Sequence, residues 1–161
     1  MGAPTFGNST AITIGLASLP SDHTNEIAGR ESTCFDLRSH RDAILGGKIT
    51  VGSTITINRI IEVWLYGSYE DTPLFPDGIT GVDANKTMTS KAIKTGCLNF
   101  YAALGIDSTT ADRPYWLPTR SIASCFGGVC PKWAGLFVMQ TSGSNLNSTA
   151  GNHTLYWTGV R

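Results

Sequence analysis

Cys125 and Cys130 bracket Phe126-Gly127-Gly128-Val129, a C-x4-C spacing that suits either a small disulfide-closed loop or thiolates beside a metal. Zinc would require two more ligands, so Cys34 and Cys97 would have to converge on the same point. Four cysteines in 161 residues fall well below the density of a disulfide scaffold, and buried free thiols are the simpler reading. Cys125 and Cys130 remain the candidate disulfide, and no metal or cofactor is expected. His23, His40 and His153 are scattered, without a triad partner at a diagnostic spacing; His153, at the start of a strand, reads as a hydrogen-bonded structural histidine. The chain contains no G-x-S-x-G, no P-loop and no H-E-x-x-H. Glu62 is an acid set within an apolar strand beside Trp64, which a charge pair or an edge position explains more simply than glycoside chemistry. No enzymatic activity is expected.

Binding chemistry has more candidates. Trp64, Tyr66, Tyr115 and Trp116 lie near polar loops, and flat rings of this kind can cover the apolar face of a pyranose. Core or subunit contact is the plainer role for them. Glu70, Asp71, Asp77 and Asp83 put four acids in one loop, but their spacing does not match a calcium loop. The sequons at Asn8, Asn85, Asn147 and Asn152 carry little weight in a chain whose start lacks a signal peptide.

The elements that must position these groups are short and β-rich. Thr10–Leu19 alternates Ile12, Ile14 and Leu16 with small or polar residues and stops at Pro20, which predicts a strand. Ser21–Asp42 holds eight of the chain's 24 acidic and basic residues and reads as an exposed loop or an arm across a neighbouring subunit, with Cys34-Phe35 returning briefly to the core. Lys48–Val51 leads into Thr54–Tyr66, where Ile55, Ile57, Ile61, Val63 and Leu65 share one parity, with a bulge or a change of strand at Arg59. Trp64 and Tyr66 on the other parity are bulky enough to cover a second layer or meet a partner.

Gly67–Ser90 is a long loop, and long loops are usually contact surfaces or disordered. Lys91–Leu104 is consistent with a helix or a strand; Gly96 weakens the helix, so a strand over Cys97–Ala103 is predicted. Ser121 caps one helical turn that Gly127-Gly128 stops. Ala134–Met139 is an unbroken apolar run, as in a central strand covered on both faces. His153–Val160 supplies the last strand, with Leu155 and Trp157 opposite Tyr156 and Thr158. About eight short strands, long loops and no βαβ rhythm predict an all-β fold: a jelly-roll-like β-sandwich over residues 10–161 with an extended arm and a flexible tail over 1–9.

Composition narrows the function. Twelve Lys and Arg balance twelve Asp and Glu, and charged residues are 15% of the chain, which argues against a nucleic-acid binder with a strongly basic field. Hydrophobic residues at 41% suffice for one core, and no apolar run approaches the ~20 residues of a membrane span. No membrane partner is expected.

Ala28-Gly29-Arg30-Glu31-Ser32 after a Gly-rich start, then Ile61-Glu62-Val63-Trp64-Leu65-Tyr66, is an order similar to small virion proteins of tailed bacteriophages. Ser121–Val138 and Ala150–Val160 resemble the same group, so the likeness spans about residues 10 to 160. It implies a capsid decoration, or cement, protein made in the host cytoplasm and carried on the outer surface of the virion. Its partners would be the major capsid protein and itself, as a homodimer or homotrimer. No catalytic residue transfers with the resemblance. Contacts are expected from Gly2–Ser9, Ser21–Asp42 and Gly67–Ser90, with Phe6, Arg30, Glu31, Arg38, Arg41, Asp71, Phe75 and Trp116 as the contact residues. The alternative is a carbohydrate-binding module or a component of a phage fibre or spike.

Overall fold

Alternating apolar residues need a second layer to bury them, and here each of two antiparallel sheets supplies it for the other. A computed structural model describes residues 3–161. The strands in chain order are β1 (Phe6–Ala11), β2 (Ala28–Glu31), β3 (Phe35–Asp36), β4 (Asp42–Thr50), β5 (Arg59–Ser68) and β6 (Ala84–Thr87). After helix α1 (Lys91–Cys97) come β7 (Asn99–Ile106), β8 (Pro114–Trp116) and β9 (Arg120–Ser121), then helix α2 (Ile122–Cys125), β10 (Trp133–Gln140) and β11 (Thr154–Val160). The first sheet runs β1-β11-β4-β8, with β9 also on β4. The second runs β6-β2-β10-β5-β7, with β3 also on β10. The fold is an all-β sandwich.

The two parities expected around Ile61–Tyr66 are both used. Ile61, Val63 and Leu65 point between the sheets, where they meet Leu136 and Val138 of β10 and Leu45, Ile49 and Leu155 of the first sheet. Trp64 and Tyr66 point outward and build a second core with Phe137 and Met139. The connection between β5 and β7 folds over this outer face and adds Phe75, Ile79, Met88 and Leu98. β10 is therefore buried along nearly its whole length, as its unbroken apolar run predicts. Each such side chain contributes about 1.5–3 kcal/mol on leaving water.

Several elements differ from the sequence reading. The first strand is Phe6–Ala11, not Thr10–Leu19; Ile12 and Ile14 pack on the core outside any ladder. Within the 1–9 tail, Phe6–Ser9 belongs to β1 and pairs with β11, while Met1 and Gly2 lie outside the described residues. Ser21–Asp42 is no free arm: β2 sits between β6 and β10, and β3 pairs with Trp133-Ala134. The Asp22 carboxylate accepts from the amides of Asn25, Ile27 and Ala28, which ties the approach to β2. β5 begins at Arg59 because Asn58 turns the chain with φ 59°.

Lys91–Leu104 holds two elements. Ser90 caps α1, its hydroxyl accepting from the Ile93 amide at 3.1 Å, and β7 follows after Leu98. A bulge in the β5–β7 register places Tyr101 inward beside Ala102, so strict alternation fails there. The expected turn at Ser121 is present as α2, with the Ser121 hydroxyl accepting from Ser124 N at 3.0 Å and Gly127 at φ 72°.

Candidate functional site

The second sheet has its outer face covered; the first does not. Residues of the first sheet that point away from the core come together by register: Phe6 with Val160, Ser9 with Thr158, and Ala11 with Tyr156 on β1 and β11. On β4, Gly46 pairs with Tyr156, and Lys48 pairs with both Thr154 and Trp116. Phe6 and Trp116 are each 65% exposed and Tyr156 40%. Gly46 is what lets the Tyr156 ring lie across β4, since a Cβ there would come within 2.6 Å of the tyrosine oxygen. The Lys48 ammonium stands 5.9 Å from the centre of the Trp116 ring, and Ser9 and Thr158 share a 2.8 Å hydroxyl hydrogen bond. The result is a bare sheet face with three aromatic anchors.

A second exposed apolar patch lies where β3, β5 and β10 meet. Leu74 and Val129 are exposed by 77% and 62%, and the Tyr69 hydroxyl donates to the Val129 carbonyl at 2.9 Å. The Arg38 guanidinium stacks 4.6 Å from the centre of the Trp133 ring and pairs with Asp36 at 2.7 Å. Trp133 Nε1 is buried without an acceptor. Lys132 pairs with Asp71 at 2.7 Å, and that hydrogen bond holds the Asp71 carboxyl below its ordinary pKa. Tryptophan, tyrosine and arginine around exposed aliphatic side chains match the composition of interface hot spots.

The expected contact residues fall into three groups. Phe6 and Trp116 lie on the first surface, and Arg38 and Asp71 on the second. Arg41 is exposed at the end of β4 that carries Phe6, its amide bonded to Val160 at 2.8 Å. Arg30 is half-buried and held by Asp83 at 2.6 Å and Asn85 at 2.9 Å, so it braces β2 against the covering connection. Glu31 and Phe75 are corrections. The Glu31 side chain is buried, its carboxylate accepting from the amides of Thr80 at 2.8 Å and Gly81 at 3.0 Å. Phe75 is buried in the second core, edge-on to Tyr66 at 4.8 Å. Of the four candidate sugar-stacking rings, Trp64, Tyr66 and Tyr115 are buried and Trp116 alone is open. Tyr156 escaped the sequence-level choice of site residues, although its parity opposite Leu155 already pointed it outward.

The four loop acids do not gather. Asp77 accepts from Thr89, Asp83 binds Arg30 and the Gly15 amide, and Asp71 binds Lys132. Among the described residues no group of three or more His, Cys, Asp or Glu is placed to hold a metal.

All four cysteines are free thiols, which corrects the Cys125–Cys130 disulfide. Gly127 and Gly128, both at positive φ, carry the chain round, and the two thiols pack on the main core. Burial pushes the Cys130 thiol up to about 11 and raises Cys34 and Cys125 as well. Cys97 is exposed. A disulfide reagent such as DTNB at pH 8 is expected to modify one thiol promptly, Cys97, and the other three at least tenfold more slowly. Equal rates for all four in the native protein would contradict this burial.

His153 is structural, as its position suggested. Its Nδ1 accepts from the Thr50 amide at 3.3 Å, so the proton sits on Nε2, which donates to the Asn147 carbonyl at 2.9 Å. Protonation would set a second N–H against the Thr50 amide. Half-burial lowers the imidazole pKa, Lys48 lowers it further, and the Asn147 carbonyl opposes both. A depressed folded-state pKa means that the unfolded chain binds more protons just below pH ~6.5, so stability is full above that pH and falls as pH drops through this window. The urea midpoint is therefore expected to be lower at pH 5 than at pH 7.5, with most of the difference removed in His153→Gln. A midpoint that does not move would refute the assignment.

No protein-family model matches the chain, and no curated protein matches it either. The two exposed surfaces are thus the features of this fold from which a function has to be argued.

Proposed function

We propose that the chain is a virion structural protein that decorates the outer surface of a tailed-phage capsid and stabilises it by bridging major capsid protein subunits. A bridging clip needs two contact surfaces on one stiff body. The observation that carries the reading is that the two exposed apolar surfaces belong to different sheets of one sandwich with a shared core. Phe6, Tyr156 and Trp116 anchor one; Tyr69, Leu74 and Val129 around Trp133 anchor the other. The resemblance to phage virion proteins supports the same role, and crossings of the chain between the sheets at β1–β2, β3–β4, β4–β5, β7–β8, β9–β10 and β10–β11 suit a jelly-roll-like body. Assembly as a homodimer or homotrimer would multiply the attachments, and avidity of that kind adds factors of ~10²–10⁴.

The mechanism is mechanical. Packaged genome presses outward, and each bridged pair of subunits gains interface that must break before the lattice opens. A standard contact buries about 1,600 Å², with a few aromatic and arginine anchors carrying most of the energy. In purified particles the chain is expected near the copy number of the major shell protein. Trp116→Ala and Leu74→Asp should each reduce its occupancy at least tenfold without unfolding it, as sedimentation and melting would record. Wild-type occupancy in both variants would end the proposal. A few copies at the tail would favour a fibre or spike component. Glycan binding that disappears in Trp116→Ala would favour a carbohydrate-binding module.

A further inference from the structure

Resting on the docking role proposed above, we infer that the outer face of the first sheet docks on an acidic surface of the shell protein. The chain is formally neutral, yet its charges are sorted between the sheets. Arg41, Lys48, Arg120 and Arg161, all on the first sheet or its ends, form no ion pair among the described residues. The acids of the same sheet and its loops are already engaged. Asp42 accepts from the amides of Ala43 and Ala123, at 2.7 and 2.9 Å. Asp107 holds Arg113 at 3.2 Å and accepts from the Tyr115 hydroxyl at 3.1 Å. Asp112 accepts from the Asn147 amide at 2.5 Å. On the second sheet and its covering connection the cations are instead mostly paired: Arg30 with Asp83, Arg38 with Asp36, Lys91 with Glu26, Lys94 with Glu62 and Lys132 with Asp71.

Three of the unpaired cations frame the aromatic face. Lys48 stands on it beside Trp116, whereas Arg120, opposite the inward-facing Leu45, turns its guanidinium to the Tyr101 carbonyl at 2.9 Å and takes no part. Arg41 and Arg161 flank the end where Phe6 meets Val160, each tied by its backbone amide, to Val160 and to Thr5. An apolar centre with a charged rim is the anatomy of a protein interface, and rim charges of one sign select a partner of the other. Nucleic acid would instead need a continuous cationic track that neutralises successive phosphates. Here the cations are separated by Phe6, Tyr156 and the hydroxyls of Ser9 and Thr158.

Rim charges act mainly on the rate of encounter and are screened by salt. The test measures attachment of the full chain to undecorated heads of the encoding phage at 50 and 300 mM NaCl. Lys48→Glu should attach about tenfold more slowly at 50 mM, with the gap closing at 300 mM. Arg59→Glu, an equal charge change on the second sheet, should stay within twofold of wild type. If wild type attaches and Lys48→Glu is no slower than Arg59→Glu, the acidic-surface inference falls and the docking role stands. If wild type does not attach, the docking role falls, and surfaces coated with poly-L-glutamate, duplex DNA or phosphatidylserine vesicles decide the inference separately. Retention on poly-L-glutamate alone, lost in Lys48→Glu, upholds it; retention on DNA or vesicles, or on none of the three, overturns it.

Discussion

Glu62→Ala is expected to cost about 3–5 kcal/mol, because it strands a buried ammonium. Lys94, on α1, is 1% exposed, and its Nζ lies 2.8 Å from Glu62 Oε2. The same carboxylate oxygen accepts from Trp64 Nε1 at 2.8 Å. Without it, the ammonium keeps the Met139 sulfur at 3.0 Å and the face of Trp64 at 5.1 Å, and the indole N–H loses its acceptor. Neither remaining contact replaces a carboxylate. The double variant Glu62→Leu, Lys94→Met removes both charges at similar volume and should lie within about 2 kcal/mol of wild type, since replacing a buried pair outright is often neutral. Urea unfolding of the two variants checks this. A loss under 1 kcal/mol in Glu62→Ala would mean that the pair does not hold α1 on the second sheet.

The second large effect is expected at Gly47. Its φ is +124°, a region that side chains avoid, and a Cβ there would sit 1.9 Å from the Thr154 carbonyl oxygen. That oxygen belongs to the backbone of β11, which pairs along seven residues of β4 and cannot yield without losing register. Strain and overpacking together put Gly47→Ala on the order of 4 kcal/mol less stable. Domains of this size are stable by only ~5–15 kcal/mol, so a reduced soluble yield is expected as well. Gly96→Ala is the contrast. Gly96 lies inside α1 with nothing within 4 Å of where a Cβ would sit, and alanine there should stabilise by up to about 1 kcal/mol. Melting temperatures that move the same way in both variants would remove this distinction.

Local patterns were readable where one strand carries its own evidence. Ile61, Val63 and Leu65 against Trp64 and Tyr66 marked two bulky faces, the second fit for another layer or for a partner, and Ala134–Met139 announced a central strand. Ser121 with Gly127-Gly128 marked a helical turn by cap and stop. Failures came where the partner is distant in the chain. Glu31 looked like a surface acid in a charged segment, but the amides that take its carboxylate lie 49 and 50 residues further on. Phe75 looked like a loop contact because the loop's own fold over β5 and β10 was not visible. The cap at Ser90 is a different case, since its partner, the Ile93 amide, lies three residues on and the helix start was legible locally.

By itself the sequence determined that this protein is built of strands, which residues of its Ile61–Tyr66 strand share a face, and that a turn follows Ser121. These follow from side-chain alternation and backbone sterics within a few residues. Only the tertiary structure decided which faces stay bare. The connection from Tyr69 to Leu98 buries the outer face of the second sheet and leaves Phe6, Tyr156 and Trp116 open on the first. Burial depends on what lands opposite a side chain, and that is settled by packing between segments far apart in the chain.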